Sequence, residues 1–252
     1  MAVPMPTKNS DPSSHDFSGK SVLVTGASRG IGRAAALGLA KAGAHVLAMA
    51  RTVGALEELD DEIRAAGGKA SLIPADLTDA QAVATLGPTL STRMEKLDMI
   101  VGAGAMIHDL TPIHDVDEVI WQRSLDTNVT AYWRLLATLH PLLVRAPAAR
   151  IALFTSRVGG EMARAFWGPY AVSKAALEML AKTYAEEHKN TAMRIAIIDP
   201  GAMRTSMRAT AMPGEDPETL PTPDTILPIL FHALSKDYDG IGERLIQRDW
   251  PQ

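Results

Sequence analysis

Short apolar runs alternate with helical patterns from Lys20 to the C-terminal region of the chain. Continuous apolar runs are typical of strands that are buried on both faces, whereas an apolar residue at every third or fourth position indicates a helix. The predicted strands are Ser21–Thr25, His45–Ala50, Ser71–Ala75, Met99–Val101, Ile151–Thr155, Arg194–Ile198 and Arg244–Gln247. The predicted helices are Gly30–Ala42, 53–66, Ala80–Met94, Asp117–Val144, Tyr170–Lys189 and Asp224–Leu234.

This alternation predicts an α/β protein with a doubly wound parallel sheet and helices on both faces. No linker-like segment divides residues 20–247, so we expect a single domain over residues 17–252. Residues 1–16 are polar and carry three prolines, which predicts a disordered N-terminal tail. Residues 202–222 are rich in Met, Pro and Thr and are expected to be loop-like.

Composition narrows the function classes. The net charge of −4 gives no basic excess that would attract nucleic acid or an anionic membrane. The absence of cysteine excludes disulfides, thiol catalysis and Cys-based zinc sites, and it fits a reducing compartment. No apolar run approaches the ~20 residues of a transmembrane helix, and the N-terminus lacks the apolar stretch of a signal peptide. We therefore expect a cytoplasmic protein.

A glycine-rich turn, T-G-A-S-R-G-I-G, lies between the first predicted strand and the first predicted helix. Gly26 permits the tight turn, Gly30 lets the backbone approach a pyrophosphate, and Gly32 lets the helix pack on the strand. The free N–H groups and the helix dipole would then face the phosphates of a dinucleotide.

Charged residues near this turn bear on which dinucleotide binds. Arg29 lies inside the turn and Arg51 at the tip of the second strand, where the acidic residue that would bind a free ribose 2′-hydroxyl is absent. Because an arginine fork suits a phosphate, the pair favours NADP(H) over NAD(H); the alternative is two solvated loop cations. Asp76, after the third strand, either accepts from the adenine amino group or caps a turn.

Tyr170 and Lys174 occur in Y-A-V-S-K, four residues apart on a predicted helix, and therefore share a face. An ammonium beside a phenol is expected to lower the pKa of the tyrosine and to let it exchange a proton near neutral pH. An acid/base tyrosine together with a dinucleotide site predicts hydride transfer to or from a carbonyl.

The ordered motifs T-G-A-S-R-G-I-G, D-L-T-D, D-T-N-V-T, Y-A-V-S-K and D-P-G-A-M-R-T resemble those of the short-chain dehydrogenase/reductase family over about residues 18–205. The resemblance implies a single Rossmann-like domain, NAD(P)(H) as cofactor, and a homodimer or homotetramer. It implies that Tyr170 is the general acid/base, that Lys174 lowers its pKa and holds the nicotinamide ribose, and that Asn128 supports a proton relay. The expected cofactor contacts are Gly26, Ser28, Arg29, Gly30, Ile31, Gly32, Arg51, Asp76, Leu77, Ala103, Tyr170, Lys174, Pro200, Gly201 and Thr205.

The sequence departs from the family pattern in two places. Gly102 to Ala105 read G-A-G-A where the family has N-N-A-G, which removes asparagine side chains that would tie adjacent strands. The catalytic serine is expected thirteen residues before Tyr170, where Arg157 stands, and Ser156 is one place further away. A local bulge could bring Ser156 into the site, Arg157 could itself donate to the substrate oxygen, or Arg157 could fill the pocket.

These observations lead to two function hypotheses. The first is an NADP(H)-dependent oxidoreductase acting on a carbonyl or alcohol, with Ser156 among its catalytic residues. The second is a nucleotide-binding sensor or scaffold without turnover. Met203, Met207 and Met212 in the 202–222 segment hint at a lid over an apolar substrate, or at ordinary packing. No metal site is expected, because His108 and His114 lack the spacing of metal ligands.

Overall fold

The computed structural model describes residues 15–250 and is built around one sheet of seven parallel strands. The strand order is β3-β2-β1-β4-β5-β6-β7. The strands are β1 (Ser21–Thr25), β2 (His45–Ala50), β3 (Lys69–Pro74), β4 (Met99–Gly102), β5 (Arg150–Phe154), β6 (Arg194–Asp199) and β7 (Ile241–Ile246). The predicted doubly wound parallel sheet is confirmed.

Nine α-helical segments accompany the sheet in residues 15–250. They are α1 (Gly30–Lys41), α2 (Val53–Ala65), α3 (Ala80–Ser91), α4 (Glu118–Leu125), α5 (Ala131–Leu143), the single turn α6 (Arg157–Gly160), α7 (Gly168–Glu187), α8 (Ser206–Ala211) and α9 (Leu227–Leu234). One buried cluster packs α1, α2 and α9 on one face of the sheet, and a second packs α3, α5 and α7 on the other. Both faces are covered, which explains why the strands read as continuous apolar runs.

The position of β1 places the site. β1 pairs with β2 on one side and with β4 on the other, so the chain changes direction along the sheet at this strand. In open α/β sheets, ligands bind in the crevice beyond the carboxyl ends of the strands at such a switch point. The glycine-rich turn between β1 and α1 lies at this crevice.

Several predicted boundaries differ from the structure. The long helix predicted at Asp117–Val144 is α4 and α5 joined by a π-helical turn, Asp126–Thr130. β7 begins at Ile241 rather than at Arg244, because Gly242, in left-handed conformation, interrupts the apolar pattern without ending the strand. The 202–222 segment contains α8 and a 3₁₀ turn at Pro217–Thr219. Most of the predicted N-terminal tail lies outside the described residues.

Candidate active site

One cavity of about 1030 Å³ opens at the carboxyl ends of the strands. A volume of this size accommodates a dinucleotide-sized ligand and leaves room for a small molecule beside it. All the predicted cofactor contacts, from Gly26 to Thr205, line this cleft, and so does Ser156. Asn128 is the one predicted site residue whose side chain does not reach the wall.

The glycine-rich turn leaves no space for side chains. Gly26 has a φ of +67°, and a Cβ there would lie 2.8 Å from the backbone of Gly104. A Cβ at Gly32 would lie 2.3 Å from the carbonyl oxygen of Gly26. The backbone therefore forms a close-packed cradle at the start of α1, which suits a pyrophosphate on the helix N-terminus.

Arg29 and Arg51 extend from the rim of this cradle and are exposed. Arg51 lies 3.6 Å from a carboxylate oxygen of Asp76, while the other oxygen accepts from the N–H and hydroxyl of Thr78. Burial tends to raise the pKa of Asp76, but the Thr78 hydrogen bonds and Arg51 hold it below its ordinary value. Asp76 thus caps a turn and lines the cleft at the same time, so the two readings of this residue are compatible.

The missing N-N-A-G asparagines have a replacement that the motif search did not reveal. The hydroxyl of Thr25 accepts from the N–H of Gly104 at 3.1 Å, and the phenol of Tyr132 donates to the Gly104 carbonyl. The two hydroxyls also contact each other at 3.2 Å. Tyr132 on α5 is fully buried, so the loop after β4 is tied to β1 and to α5 without asparagine.

Tyr170 and Lys174 lie in the first turns of α7, and both are buried. The Lys174 ammonium donates to the carbonyl of Phe154 at 2.9 Å and lies 5.7 Å from the centre of the Tyr170 ring. Burial raises the pKa of Tyr170 to about 12 and lowers the pKa of Lys174 to about 8. In the chain alone, desolvation dominates the pKa of both groups, and the lowering of the Tyr170 pKa by Lys174 stays a prediction.

Ser156 lies just beyond the end of β5, and the side chains of Ser156 and Arg157 take different directions. The Ser156 hydroxyl accepts from the N–H of Val158 at 3.2 Å and lies near enough to the Tyr170 phenol to oppose the rise of the phenol pKa that burial causes. The Arg157 guanidinium lies 3.5 Å from the carboxylate of Glu161 and is half-exposed. The one-residue offset lies in the irregular connection from 157 to 167, where Gly159 and Phe166 have positive φ.

An ion-pair network that sequence reasoning missed lies behind Ser156. Arg244 on β7 donates to the Ser156 carbonyl at 3.0 Å and pairs with Glu178 on α7. Glu178 accepts from the Thr155 hydroxyl at 2.6 Å, and its charge raises the pKa of Lys174 against the effect of burial. The signal in the sequence was the four-residue spacing of Tyr170, Lys174 and Glu178 along one helix face.

Asn128 lies in the π-helical turn and is fully buried. Its amide accepts from the N–H of Met106 at 2.8 Å and donates to the Met106 carbonyl and to the Ser173 hydroxyl. Ser173 is the neighbour of Lys174 on α7. The side chain therefore braces the loop after β4 against α7.

The loop after β6 closes the far side of the cleft. Asp199 is buried; one of its oxygens accepts from Gly201 N at 3.0 Å, and the other has no hydrogen-bond partner among residues 15–250. Burial raises the pKa of Asp199. Thr205 caps α8 by accepting from the N–H of Arg208.

Apolar side chains from the 202–222 segment cover Tyr170. Val158, Trp167, Tyr170 and Ala211 form a small buried cluster, against which Met207 and Met212 pack. Met203 belongs instead to the main core. The segment thus acts as a partial roof over the reactive tyrosine.

Among residues 15–250, no group of three or more His, Cys, Asp or Glu side chains could hold a metal ion. No helix in this part of the chain is long and apolar enough to cross a membrane.

Known proteins are similar to this chain in sequence and in fold. A family model described as short chain dehydrogenase matches residues 20–216. The uncharacterized oxidoreductase YciK of Escherichia coli K12 is 33% identical over 219 residues, which cover 86% of each chain. A crystal structure of a short chain dehydrogenase from Salmonella enterica serovar Typhi superposes with a TM-score of 0.88 at 33% identity, covering 92% of this chain and 97% of that one. A crystal structure of a short chain dehydrogenase from Shigella flexneri 2a, complexed with NADP, has a TM-score of 0.88 at 30% identity. The match covers 94% of this chain and 100% of that one.

Proposed function

The chain belongs to the short-chain dehydrogenase family and is an NAD(P)-dependent oxidoreductase, and from that premise we propose that it transfers hydride between NADP(H) and a carbonyl or alcohol substrate. The observation that carries the proposal is the grouping of Ser156, Tyr170 and Lys174 on the wall of the cleft that also contains the glycine cradle.

The residues present fit NADP(H). The cradle at Gly26 and Gly32 suits the pyrophosphate, and Arg29 and Arg51 flank the position of a ribose 2′-phosphate at the tip of β2. Guanidinium groups bind phosphate in a bidentate manner, so we propose that NADP(H) is preferred to NAD(H). The NADP complex of the related Shigella flexneri protein supports the binding of NADP(H). When bound, the coenzyme gives or accepts the hydride.

The chain's own groups handle the substrate oxygen. Ser156 and Tyr170 present neighbouring hydroxyls that orient a carbonyl or hydroxyl group by hydrogen bonds. In the reducing direction, the Tyr170 Oη gives its proton to the substrate oxygen; in the oxidising direction it takes the proton back. Lys174 lies beside the phenol ring at the base of the cleft, and the apolar roof excludes water from the proton transfer.

The first test is the variant Tyr170→Phe. Loss of the proton donor is expected to lower kcat for NADPH-dependent carbonyl reduction by on the order of 10²–10⁴, with NADPH affinity nearly unchanged. Steady-state kinetics on a carbonyl panel and NADPH titration by fluorescence measure the two quantities. Tyr184→Phe, further along α7 and outside the cleft, is the control. Retention of most activity by Tyr170→Phe would refute the assigned role.

The scaffold hypothesis is tested at Arg157. If the guanidinium blocked the site, the parent protein would be inert on every carbonyl tried and Arg157→Ser would become active. The ion pair with Glu161 and the position of Ser156 beside Tyr170 support the opposite outcome, namely an active parent that Ser156→Ala impairs more than Arg157→Ser.

A third test addresses the coenzyme. We expect kcat/KM for NADPH to exceed that for NADH by tenfold or more, and Arg51→Ala to reduce this ratio through a higher KM for NADPH alone. One charge-assisted hydrogen bond contributes about 1.5–3 kcal/mol, or roughly ten- to hundredfold. Arg33→Ala is a matched control, because that arginine lies one turn into α1 and pairs with Glu62. An unchanged ratio in Arg51→Ala would contradict the assigned role of Arg51.

We also propose that the protein is a homodimer or homotetramer that packs through α7. Val172, Ala175 and Met179 lie on one exposed face of this helix, and Trp133 on α5 is exposed as well. Apolar groups arranged in this way on adjacent helices favour burial against a second copy of the chain.

A further inference from the structure

A planar cation lies over an indole at the substrate end of the cleft. The guanidinium carbon of Arg164 is 5.1 Å from the centre of the Trp167 ring, and that ring meets the Tyr170 ring edge-on at 5.7 Å. The Trp167 ring contacts both the guanidinium and the Tyr170 ring. The two distances together place the guanidinium carbon at most about 11 Å from the centre of the Tyr170 ring. All three side chains line the cleft.

No carboxylate of residues 15–250 lies within ion-pair distance of Arg164; the Glu215 carboxylate, whose pKa is lowered mainly by its hydrogen bonds from Arg208, interacts with Arg164 only at longer range. Three other arginines at this end of the cleft form ion pairs, namely Arg157 with Glu161, Arg208 with Glu215, and Arg248 with Glu161 and Asp249, whereas Arg123, which also lines the cleft, forms none among residues 15–250. Among residues 15–250, Arg164 forms no ion pair, and its one hydrogen bond goes to the Met212 sulfur at 3.7 Å. Most of the five N–H donors of its fork are therefore available to a ligand.

The wall between Tyr170 and Arg164 is apolar. Val158, Trp167 and Ala211 form it together with the flanking Met207. A ligand whose oxygen sits at Tyr170 and that extends toward Arg164 would cross apolar surface and end at a cation. Such a path suits an amphipathic molecule with a reactive carbonyl, an apolar chain and a terminal anion.

We infer that the substrate is an oxo compound, or the corresponding alcohol, whose apolar chain ends in a carboxylate or phosphate group bound by Arg164. The inference rests on the proposed function, because it keeps the reacting carbonyl at Tyr170. The sequence predicted an apolar substrate, and the inference adds an anionic group at the end of its apolar chain. A planar fork stacked on an aromatic ring is well suited to bidentate binding of either anion.

The experiment compares three probes of equal chain length: 7-oxooctanoate, its neutral amide 7-oxooctanamide, and 7-oxooctyl phosphate. We measure kcat/KM with saturating NADPH, and in parallel the binding of each probe to the NADP⁺-saturated enzyme by calorimetry. The parent enzyme is expected to favour at least one anionic probe over the amide by about ten- to hundredfold, mainly through KM. The better of the two anions identifies the terminal group.

Two variants test whether Arg164 causes the preference for the anionic probes. Arg164→Gln is expected to lower kcat/KM for the anionic probes to the value for the amide. The kcat/KM for the amide and the affinity for NADPH should not change. Arg164→Lys keeps the charge but loses the fork, and it should fall between Arg164→Gln and the parent. Arg204→Gln is the control, because Arg204 lies in the neighbouring 202–222 segment and pairs with Glu218 outside this cleft.

The outcomes separate this inference from the proposed function. Equal use of acid, phosphate and amide by the parent, or equal losses in Arg164→Gln and Arg204→Gln, would overturn the inference and leave the oxidoreductase assignment standing. A selective loss of NADPH affinity in Arg164→Gln would also overturn it, by assigning Arg164 to the coenzyme. Arg164-dependent binding of the anions without any reduction would support the inference and count against the proposed reaction.

Discussion

Desolvation governs the protonation of the two central side chains. Lys174 is 2% exposed, and among residues 15–250 its ammonium has only the Phe154 carbonyl within hydrogen-bond distance. A carbonyl stabilises the charged form less than water does, so the pKa of Lys174 falls to about 8. The phenol of Tyr170 stays protonated for the same reason.

The lowered pKa of Lys174 has a consequence for stability that can be measured. Its ordinary value is 10.5, so between about pH 8 and 10.5 the unfolded chain holds a proton that the folded chain has released. The free energy of unfolding of the coenzyme-free protein is therefore expected to rise with pH across this window, by on the order of a few kcal/mol. The opposite contribution of Tyr170, whose pKa is raised, begins only near pH 10.

Urea unfolding at pH 7.5, 8.5 and 9.5 measures this rise. Lys174→Met should remove it, whereas Lys41→Met, an exposed lysine in the last turn of α1, should leave it in place. The same rise in Lys174→Met as in the parent would show that other groups cause it.

At the level of residues, motifs located the cleft but not its internal contacts. Tyr170, Lys174 and the glycines were found because their chemistry requires fixed spacing. Tyr132 and Thr25 were missed because hydroxyls that replace asparagine occupy other positions in the chain. The question of Ser156 or Arg157 depended on the backbone of an irregular connection, which no periodicity describes.

Helix α7 and strand β7 together position the turn that carries Ser156. Arg244 spans from β7 to the Ser156 carbonyl and to Glu178 on α7, and it also lies 3.1 Å from Glu161. Gly160 makes room for this arrangement, since a Cβ there would overlap the Arg244 guanidinium. A buried charge that loses its partner costs about 3–5 kcal/mol.

The variants Arg244→Gln and Glu178→Gln test this coupling. Each alone is expected to lower the free energy of unfolding by a few kcal/mol and to lower kcat, because the turn with Ser156 loses its anchor. The double variant should lose less than the sum, with a coupling of about 0.5–3 kcal/mol. Arg248→Gln is the control, since Arg248 also pairs with Glu161 but is half-exposed. Additive losses would mean that the two residues act independently.

Element types were easier to predict than element ends. The buried strands were identified from their continuous apolar runs. Periodicity did not show the π-helical turn at Asp126–Thr130, whose Asn128 amide bonds to Met106 and Ser173 in other elements. The helix α8 is short and lies in a segment whose composition resembles a loop.

At the scale of the whole molecule, the proposed homo-oligomer depends on the outer face of α7. Met179 is 62% exposed in the single chain, an unusual position for a large apolar side chain on a long helix. Met179→Glu is expected to convert the proposed oligomer to a monomer in sedimentation velocity, because a carboxylate would be buried without a partner. Val53→Glu, at an exposed valine on α2, should leave the sedimentation coefficient unchanged. A parent that sediments as a monomer would refute the proposal.

The whole fold was predictable because strand–helix alternation permits few topologies, and right-handed crossovers select among them. The shape of the substrate end of the cleft was not predictable. It depends on the segments 157–167 and 202–222, which pack against each other and so determine each other's conformation.

The bond between Arg244 and Glu178 joins positions 66 residues apart in the chain. Descendants of this protein that change one of the two would keep a working serine turn only by changing the other, so the positions should vary together across an alignment. A recombination event that exchanged the last strand with that of a distant relative would separate the partners. The hybrid would retain its coenzyme cradle and lose the alignment of its reactive hydroxyls.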